Sequence, residues 1–76
     1  MTENEHEIVK LKYHMVFEKK RQDMLKDAYE RWKNSGELPQ KKKAKLESIQ
    51  RKIDISIIIQ QQYAEEIAKM IEEEKK

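Results

Sequence analysis

Residue types on which many small folds depend are missing or rare in this chain. There is no cysteine among its 76 residues, which excludes a disulfide framework and a thiolate zinc site. A single glycine and a single proline allow about one tight turn and argue against a multi-stranded sheet. No apolar run is longer than three residues, the length of Ile57-Ile58-Ile59, so the sequence predicts no membrane span.

What is present is mostly charge, with 42% charged and 37% hydrophobic residues. A chain of this length predicts one small domain, residues 1–76, with a marginal core. The N-terminal residues are acidic and no apolar segment follows them, so no signal peptide is predicted and we expect a cytoplasmic protein.

One short segment around Gly36 and Pro39 interrupts an otherwise helix-favouring sequence. Gly36 suits the left-handed residue that ends a helix, and Pro39 suits the first turn of the next one. The flanks predict helices over about 4–34 and 39–74, joined by a turn at 35–38. Helices of this length with a short connection predict an all-α, antiparallel two-helix hairpin.

The start of the first predicted helix contains two overlapping capping patterns. Thr2 and Glu5 have the spacing of a capping box, and so do Asn4 and Glu7. Either pair would satisfy backbone N–H groups that the helix leaves without partners.

Both predicted helices carry a ladder of residues at alternating spacings of three and four. The ladders are Ile8, Leu11, Met15, Glu18, Gln22, Leu25, Tyr29, Trp32 and Leu46, Ile49, Ile53, Ser56, Gln60, Tyr63, Ile67, Met70. This spacing is typical of a coiled-coil seam, so we expect the ladders to face each other. Folding at Gly36-Glu37 pairs Leu25 with Ile49, Glu18 with Ser56, Met15 with Gln60 and Ile8 with Ile67.

The polar members of the two ladders fall at similar heights in this pairing. A polar layer within a seam lowers stability but can fix the register and the number of partners. The alternative is that these side chains lie at the edge of the seam.

Further apolar residues lie off the seam of both helices. At about 100° per residue they face outward, and the fold point brings Val16 and Phe17 level with Ile58 and Ile59. A single hairpin leaves such residues exposed, and exposed apolar patches mark interfaces. We therefore expect a homodimer forming a four-helix bundle, or binding of a protein partner. The predicted interface is Tyr13, Val16, Phe17, Ile55, Ile58 and Ile59.

The segment 53–57 permits a competing interpretation, because its β-branched residues alternate strictly with polar ones. Such alternation is typical of a strand. The flanking sequence favours helix and no second strand is available for pairing, so the helix is the principal prediction.

The formal net charge of +2 conceals an uneven distribution. Six cations and one anion lie in 41–52, whereas six anions and one cation lie in 54–74. A hairpin would therefore have a basic turn end and an acidic open end, and in the second helix this order opposes the helix dipole. The basic tip comprises Arg31, Trp32, Lys33, Lys41, Lys42, Lys43 and Lys45.

Three interpretations of the basic tip are open. Two hairpins with their turns at opposite ends would place each tip beside the partner's acidic end. The tip could instead bind the phosphates of RNA or DNA, or an acidic protein, with Trp32 stacking on a base or anchoring a partner. It could also be a solvated loop, with Trp32 capping the seam.

Motifs for catalysis or cofactor binding are missing. His6 and His14 lie eight residues apart, and a zinc ion normally takes three or four ligands. The sequence has no glycine-rich phosphate loop and no serine with a His/Asp relay. We predict no catalytic residue, metal or cofactor. The expected function is a non-enzymatic interaction module of a regulatory, adaptor or inhibitor protein, with RNA or DNA binding as the alternative.

Overall fold

The computed structural model describes residues 2–75, which form two helices, α1 (Glu3–Lys33) and α2 (Pro39–Glu74). The helices pack against each other in antiparallel directions and form a rod of 57 × 16 × 12 Å. The predicted all-α hairpin is confirmed, and each helix boundary lies within one residue of its predicted position. The segment 53–57 lies inside α2, so the strand interpretation was wrong.

The N-terminus of α1 has the capping box that the first of the two patterns predicts. Thr2 Oγ1 accepts a hydrogen bond from the Glu5 N–H, and the Thr2 N–H donates to Glu5 Oε2. Acidic residues in the first turn and basic residues in the last turn complement the dipole of α1. In contrast, α2 starts at Pro39 without a side-chain cap and has no acidic residue in its first turn.

The two ends of the described chain meet at the open end of the hairpin. The Thr2 hydroxyl donates a hydrogen bond to Glu74 Oε1 over 3.1 Å. The start of α1 and the end of α2 therefore lie side by side, at the end of the rod opposite the turn.

The turn begins where α1 ends at Lys33. The Asn34 N–H still donates to the Glu30 carbonyl, and the Ser35 hydroxyl donates to the Trp32 carbonyl over 2.7 Å. Gly36 does not have a positive φ, so the prediction of a left-handed cap at this residue was wrong. These two bonds satisfy carbonyls of the last turn of α1 without a left-handed residue.

Replacing Gly36 by alanine should therefore stabilise the hairpin by about 0.4–1 kcal/mol, because alanine restricts the unfolded chain more than glycine does. The folded chain should accept the change, since a Cβ at this position meets no atom within 4 Å. Urea unfolding followed by circular dichroism measures the difference. A loss of stability would mean that Gly36 adopts a positive φ in the folded protein.

The core follows the two ladders closely. All seven buried residues among those described belong to the ladders, and each of the sixteen ladder residues is buried or half-buried. Ile8, Leu11 and Ile67 form an apolar cluster near the open end. Ile49 and Ile53 are buried in the half nearer the turn. The hydrophobic core is therefore small, and it is divided into two parts by the middle of the seam, where the buried residues Gln22 and Ser56 are polar.

Candidate interaction surface

The middle of the seam is polar, and hydrogen bonds join the two helices there. The Ser56 hydroxyl belongs to a residue only 1% exposed and donates to the Glu18 carbonyl over 3.2 Å. Gln60 Nε2 donates to Gln22 Oε1 over 2.7 Å. The polar layer is thus confirmed, and within it Gln60 forms a hydrogen bond with Gln22, a pair that the fold point did not predict.

The Glu18 side chain is the least satisfied member of this polar layer. Its Oε1 atom is buried and accepts no hydrogen bond, although the Arg21 guanidinium lies 3.6 Å away. A buried carboxylate oxygen without a hydrogen bond lowers the stability of the folded state. Because Glu18, Gln22, Ser56 and Gln60 occupy the middle of the seam, this part of the hairpin contributes least to apolar packing.

The outer surface at the same height is apolar, which reverses the usual distribution of polarity. Phe17 is 76% exposed, and Tyr13, Val16 and Ile58 are exposed as well. Of the six predicted interface residues, Ile59 alone is half-buried. Polar side chains lie inside the middle of the rod and apolar side chains lie outside it.

One flank of the hairpin is marked by the rings of His14 and Tyr63, which stack across the two helices with centroids 5.6 Å apart. Phe17 follows His14 by three residues and Ile59 precedes Tyr63 by four, so helical periodicity places both on this flank. The aromatic flank consists of His14, Phe17, Met24, Ile55, Ile59 and Tyr63, because Met24 and Ile55 continue the two rows by whole turns.

The other flank carries a second set of exposed residues, all of them aliphatic. Ile55 directly precedes the buried seam residue Ser56 and Ile57 directly follows it, so the two turn by about 100° in opposite directions. Ile55 therefore lies on the aromatic flank and Ile57 lies on the other. In α1, Val16 directly follows the seam residue Met15 and turns to the same side as Ile57. The aliphatic flank consists of Val9, Val16, Ile57 and Ile71, each of which directly follows a ladder residue.

The six predicted interface residues therefore do not share one surface. Phe17, Ile55 and Ile59 lie on the aromatic flank, and Val16 lies on the aliphatic flank. Tyr13 and Ile58 are each two residues from the seam in both directions, so they lie on the outer faces.

The predicted interface missed three of the six residues of the aromatic flank and three of the four residues of the aliphatic flank, although the order of residues contains the signal. In an antiparallel pair, residues that directly precede the seam on either helix turn to one flank, and those that follow it turn to the other. The residues that this rule adds to the prediction are His14, Met24, Val9, Ile57 and Ile71, while Tyr63 joins the aromatic flank through its contact with His14.

The basic tip is partly occupied by contacts within the hairpin. Arg31 forms an ion pair with Asp27 at 3.1 Å, and Lys41 pairs with Glu37 at 3.7 Å. Lys45 Nζ lies 5.6 Å from the ring centroid of half-buried Trp32, at cation–π distance. Of the other tip residues, Lys33 and Lys43 are exposed and Lys42 is half-buried.

The surface offers little that resembles a small-molecule site. Ala28, Arg31, Trp32 and Ser35 line one open depression beside the turn, and Val9, Lys12, Tyr13 and Val16 line another along α1. Within residues 2–75, no three His, Cys, Asp or Glu side chains come together as metal ligands would. The chemistry available on these surfaces is apolar contact and charge pairing.

No helix in the described part of the chain has the length and apolar character needed to cross a membrane. Comparison with protein-family models, with curated protein sequences and with solved structures gives no match for this chain.

Proposed function

We propose that this protein is a non-enzymatic interaction module, a regulatory, adaptor or inhibitor protein that binds a protein partner through its exposed helix flanks. The observation that carries this proposal is the imbalance between exposed and buried apolar residues. Among the described residues, ten large hydrophobic side chains are exposed, whereas five hydrophobic residues are buried. Large exposed apolar patches on a soluble chain favour association with another protein surface.

The overall shape supports the same proposal. A compact monomer of this mass exposes about 5,000 Å² of surface. The hairpin exposes 6267 Å². Its radius of gyration is 17.3 Å, against about 11 Å for a globular domain of this length. A rod of two helices offers long, pre-formed faces, and apolar side chains at helical spacing suit packing against another helix.

The basic tip gives less support to nucleic-acid binding. Arg31 and Lys41 are paired with Asp27 and Glu37, whose carboxylates reduce the positive charge that the tip presents to phosphates. Trp32 is half-buried with a lysine over its ring, which competes with a stacked base. RNA or DNA binding stays a prediction from the sequence, and protein binding is the function we favour.

Site-specific photocrosslinking in cells that express the protein tests this function. A benzophenone amino acid placed at Phe17 or at Ile57 should form covalent adducts of discrete mass with a protein, because these residues occupy the two flanks. The same group at Arg51 is the control and should form none, because Arg51 is exposed and lies two residues from the seam in both directions, on an outer face outside both flanks. Mass spectrometry identifies the captured chain.

The proposal would be wrong if neither flank gave an adduct above the level of the Arg51 control. An adduct with any protein, whether a second copy of this chain or a different chain, would support it.

A further inference from the structure

We infer that the aromatic flank binds a second copy of this chain, with the two turns at opposite ends of the dimer. This inference deepens the proposed function by naming the partner of one flank, and it rests on that function. Three observations carry it: the position of the aromatic flank along the rod, the order of charges on it and the area that it offers.

The aromatic flank is centred on the middle of the rod. Glu18 is the midpoint of α1, and the neighbouring Phe17 lies level with Ile59 in the register set by the His14–Tyr63 contact. Met24 and Ile55 extend the flank towards the turn, and the stacked rings extend it towards the open end. Two copies related by a two-fold axis through this centre would overlap along their whole length. The aliphatic flank, with Val9 and Ile71, is displaced towards the open end and lacks this property.

The charges on the aromatic flank change along the rod. Residues that directly precede the seam in the turn half include four cations and no anion: Arg21, Arg31, Lys45 and Lys52. The open half has Glu7 and Glu66, together with Lys10 and Lys69, and Glu73 follows one heptad beyond Glu66. The flank therefore has a uniformly basic half and a half that contains all of its anions.

A two-fold axis that lies in the interface and runs perpendicular to the helices brings opposite charges of the two copies together. With turns at opposite ends, α2 packs over the α2 of the second copy, which places Lys52 near the partner's Glu66 and Lys45 near the partner's Glu73. On the α1 side, Arg31 lies within about one turn of the partner's Glu7, and its guanidinium has N–H donors for this carboxylate as well as for Asp27. With turns at the same end, Arg31 would instead meet the partner's Lys45, and like charges across an interface oppose binding.

The area of the flank is sufficient for a stable dimer. The rod is 57 Å long and 16 Å across its broad side. Full overlap would cover about 900 Å² on each copy, close to the roughly 800 Å² per partner of a standard protein interface. The exposed side chains of Phe17, Met24 and Ile55 lie at the centre of this area, where interface contacts contribute most.

Sedimentation velocity on the full chain over a range of micromolar concentrations tests the assembly. Ile55→Ser should raise the dimer dissociation constant about tenfold or more, since each dimer loses two apolar contacts. Ile58→Ser is a matched control, because both isoleucines lie on α2 and are 53% and 51% exposed. The control should leave the dissociation constant nearly unchanged, since Ile58 lies on the outer face.

Charge exchange tests the orientation without removing apolar contacts. Lys52→Glu or Glu66→Lys alone should weaken the dimer about three- to tenfold at low salt, because each brings like charges together. The double variant should restore the wild-type dissociation constant. These residues are fourteen apart on α2, or about 21 Å along the helix, so restoration cannot arise within one hairpin.

A single spin label gives the geometry directly, because the chain has no cysteine of its own. Labels at Lys43→Cys should lie about 50 Å apart in the dimer, given a rise of 1.5 Å per residue. A chain that is monomeric at every concentration, or a dimer in which the labels lie close together, would overturn the inference. If the chain is monomeric but photocrosslinking captures a different protein, the proposed function survives and only this inference fails.

Discussion

Replacing Ile53 by alanine is expected to leave only a small fraction of the hairpin folded at 25 °C. Ile53 is 5% exposed and is one of five hydrophobic residues that form the buried core. Removing a buried isoleucine side chain costs about 2–5 kcal/mol. Since a domain of this size has a marginal core, a loss of this magnitude approaches its whole free energy of unfolding. Far-ultraviolet circular dichroism with urea titration measures the folded fraction.

Ile57→Ala is the matched control for that experiment. Ile57 lies four residues after Ile53 in the same helix but is 37% exposed. The control should lower the free energy of unfolding by less than about 1 kcal/mol, because less apolar surface is removed from the folded interior. If both variants lost the same stability, Ile57 would have to be buried in solution, and the aliphatic flank would belong to an interface.

Replacing both Gln22 and Gln60 by leucine is expected to stabilise the hairpin by about 1–3 kcal/mol. The two amides pair with each other at 2.7 Å between the helices. Removing both leaves no unpaired partner and extends the apolar seam towards the middle of the rod, where Glu18 and Ser56 remain polar. Each single variant would leave the other amide without its partner, which costs about 1–3 kcal/mol and offsets much of the gain.

The predicted gain in stability should be accompanied by a loss of specificity. A polar pair within a seam penalises registers that would bury it against apolar side chains. The double leucine variant should therefore give more than one set of backbone amide resonances by NMR, whereas the wild-type chain should give one. A double variant that is less stable than the wild type would show that the Gln22–Gln60 hydrogen bond contributes more than the leucine contacts that replace it.

The helices and the seam were predictable because their signals are local and redundant. The ladders of three and four spacings, the Thr2–Glu5 pattern and Pro39 all indicate the same hairpin, and each agrees with the structure. The side-chain partners within the polar layer did not follow from the fold point alone. Folding at Gly36-Glu37 places Gln60 near Met15 in height, and the amide side chains extend towards the N-terminus of their own helices, so Gln22 and Gln60 meet across the seam.

The exposed surface was harder to predict, because a helical pattern separates outward from inward residues more easily than one flank from the other. Phe17 and Ile58 are both outward-facing, yet only Phe17 turns towards the His14–Tyr63 stack. The flank on which a residue lies depends on the antiparallel direction of the two helices as well as on the periodicity. The prediction of a left-handed Gly36 was wrong for a different reason. Hydrogen bonds to the last carbonyls of α1 make a left-handed residue unnecessary at this turn.

The hydrogen bond between Thr2 and Glu74 has a consequence for the connectivity of the fold. Because residues 2 and 75 lie at the same end of the rod, a linker of a few residues would join them without moving either helix. A circularly permuted chain opened within 34–38 would then preserve the whole seam, the polar layer and both flanks, with α2 preceding α1. The interhelical packing therefore does not depend on the order in which the two helices follow one another along the chain.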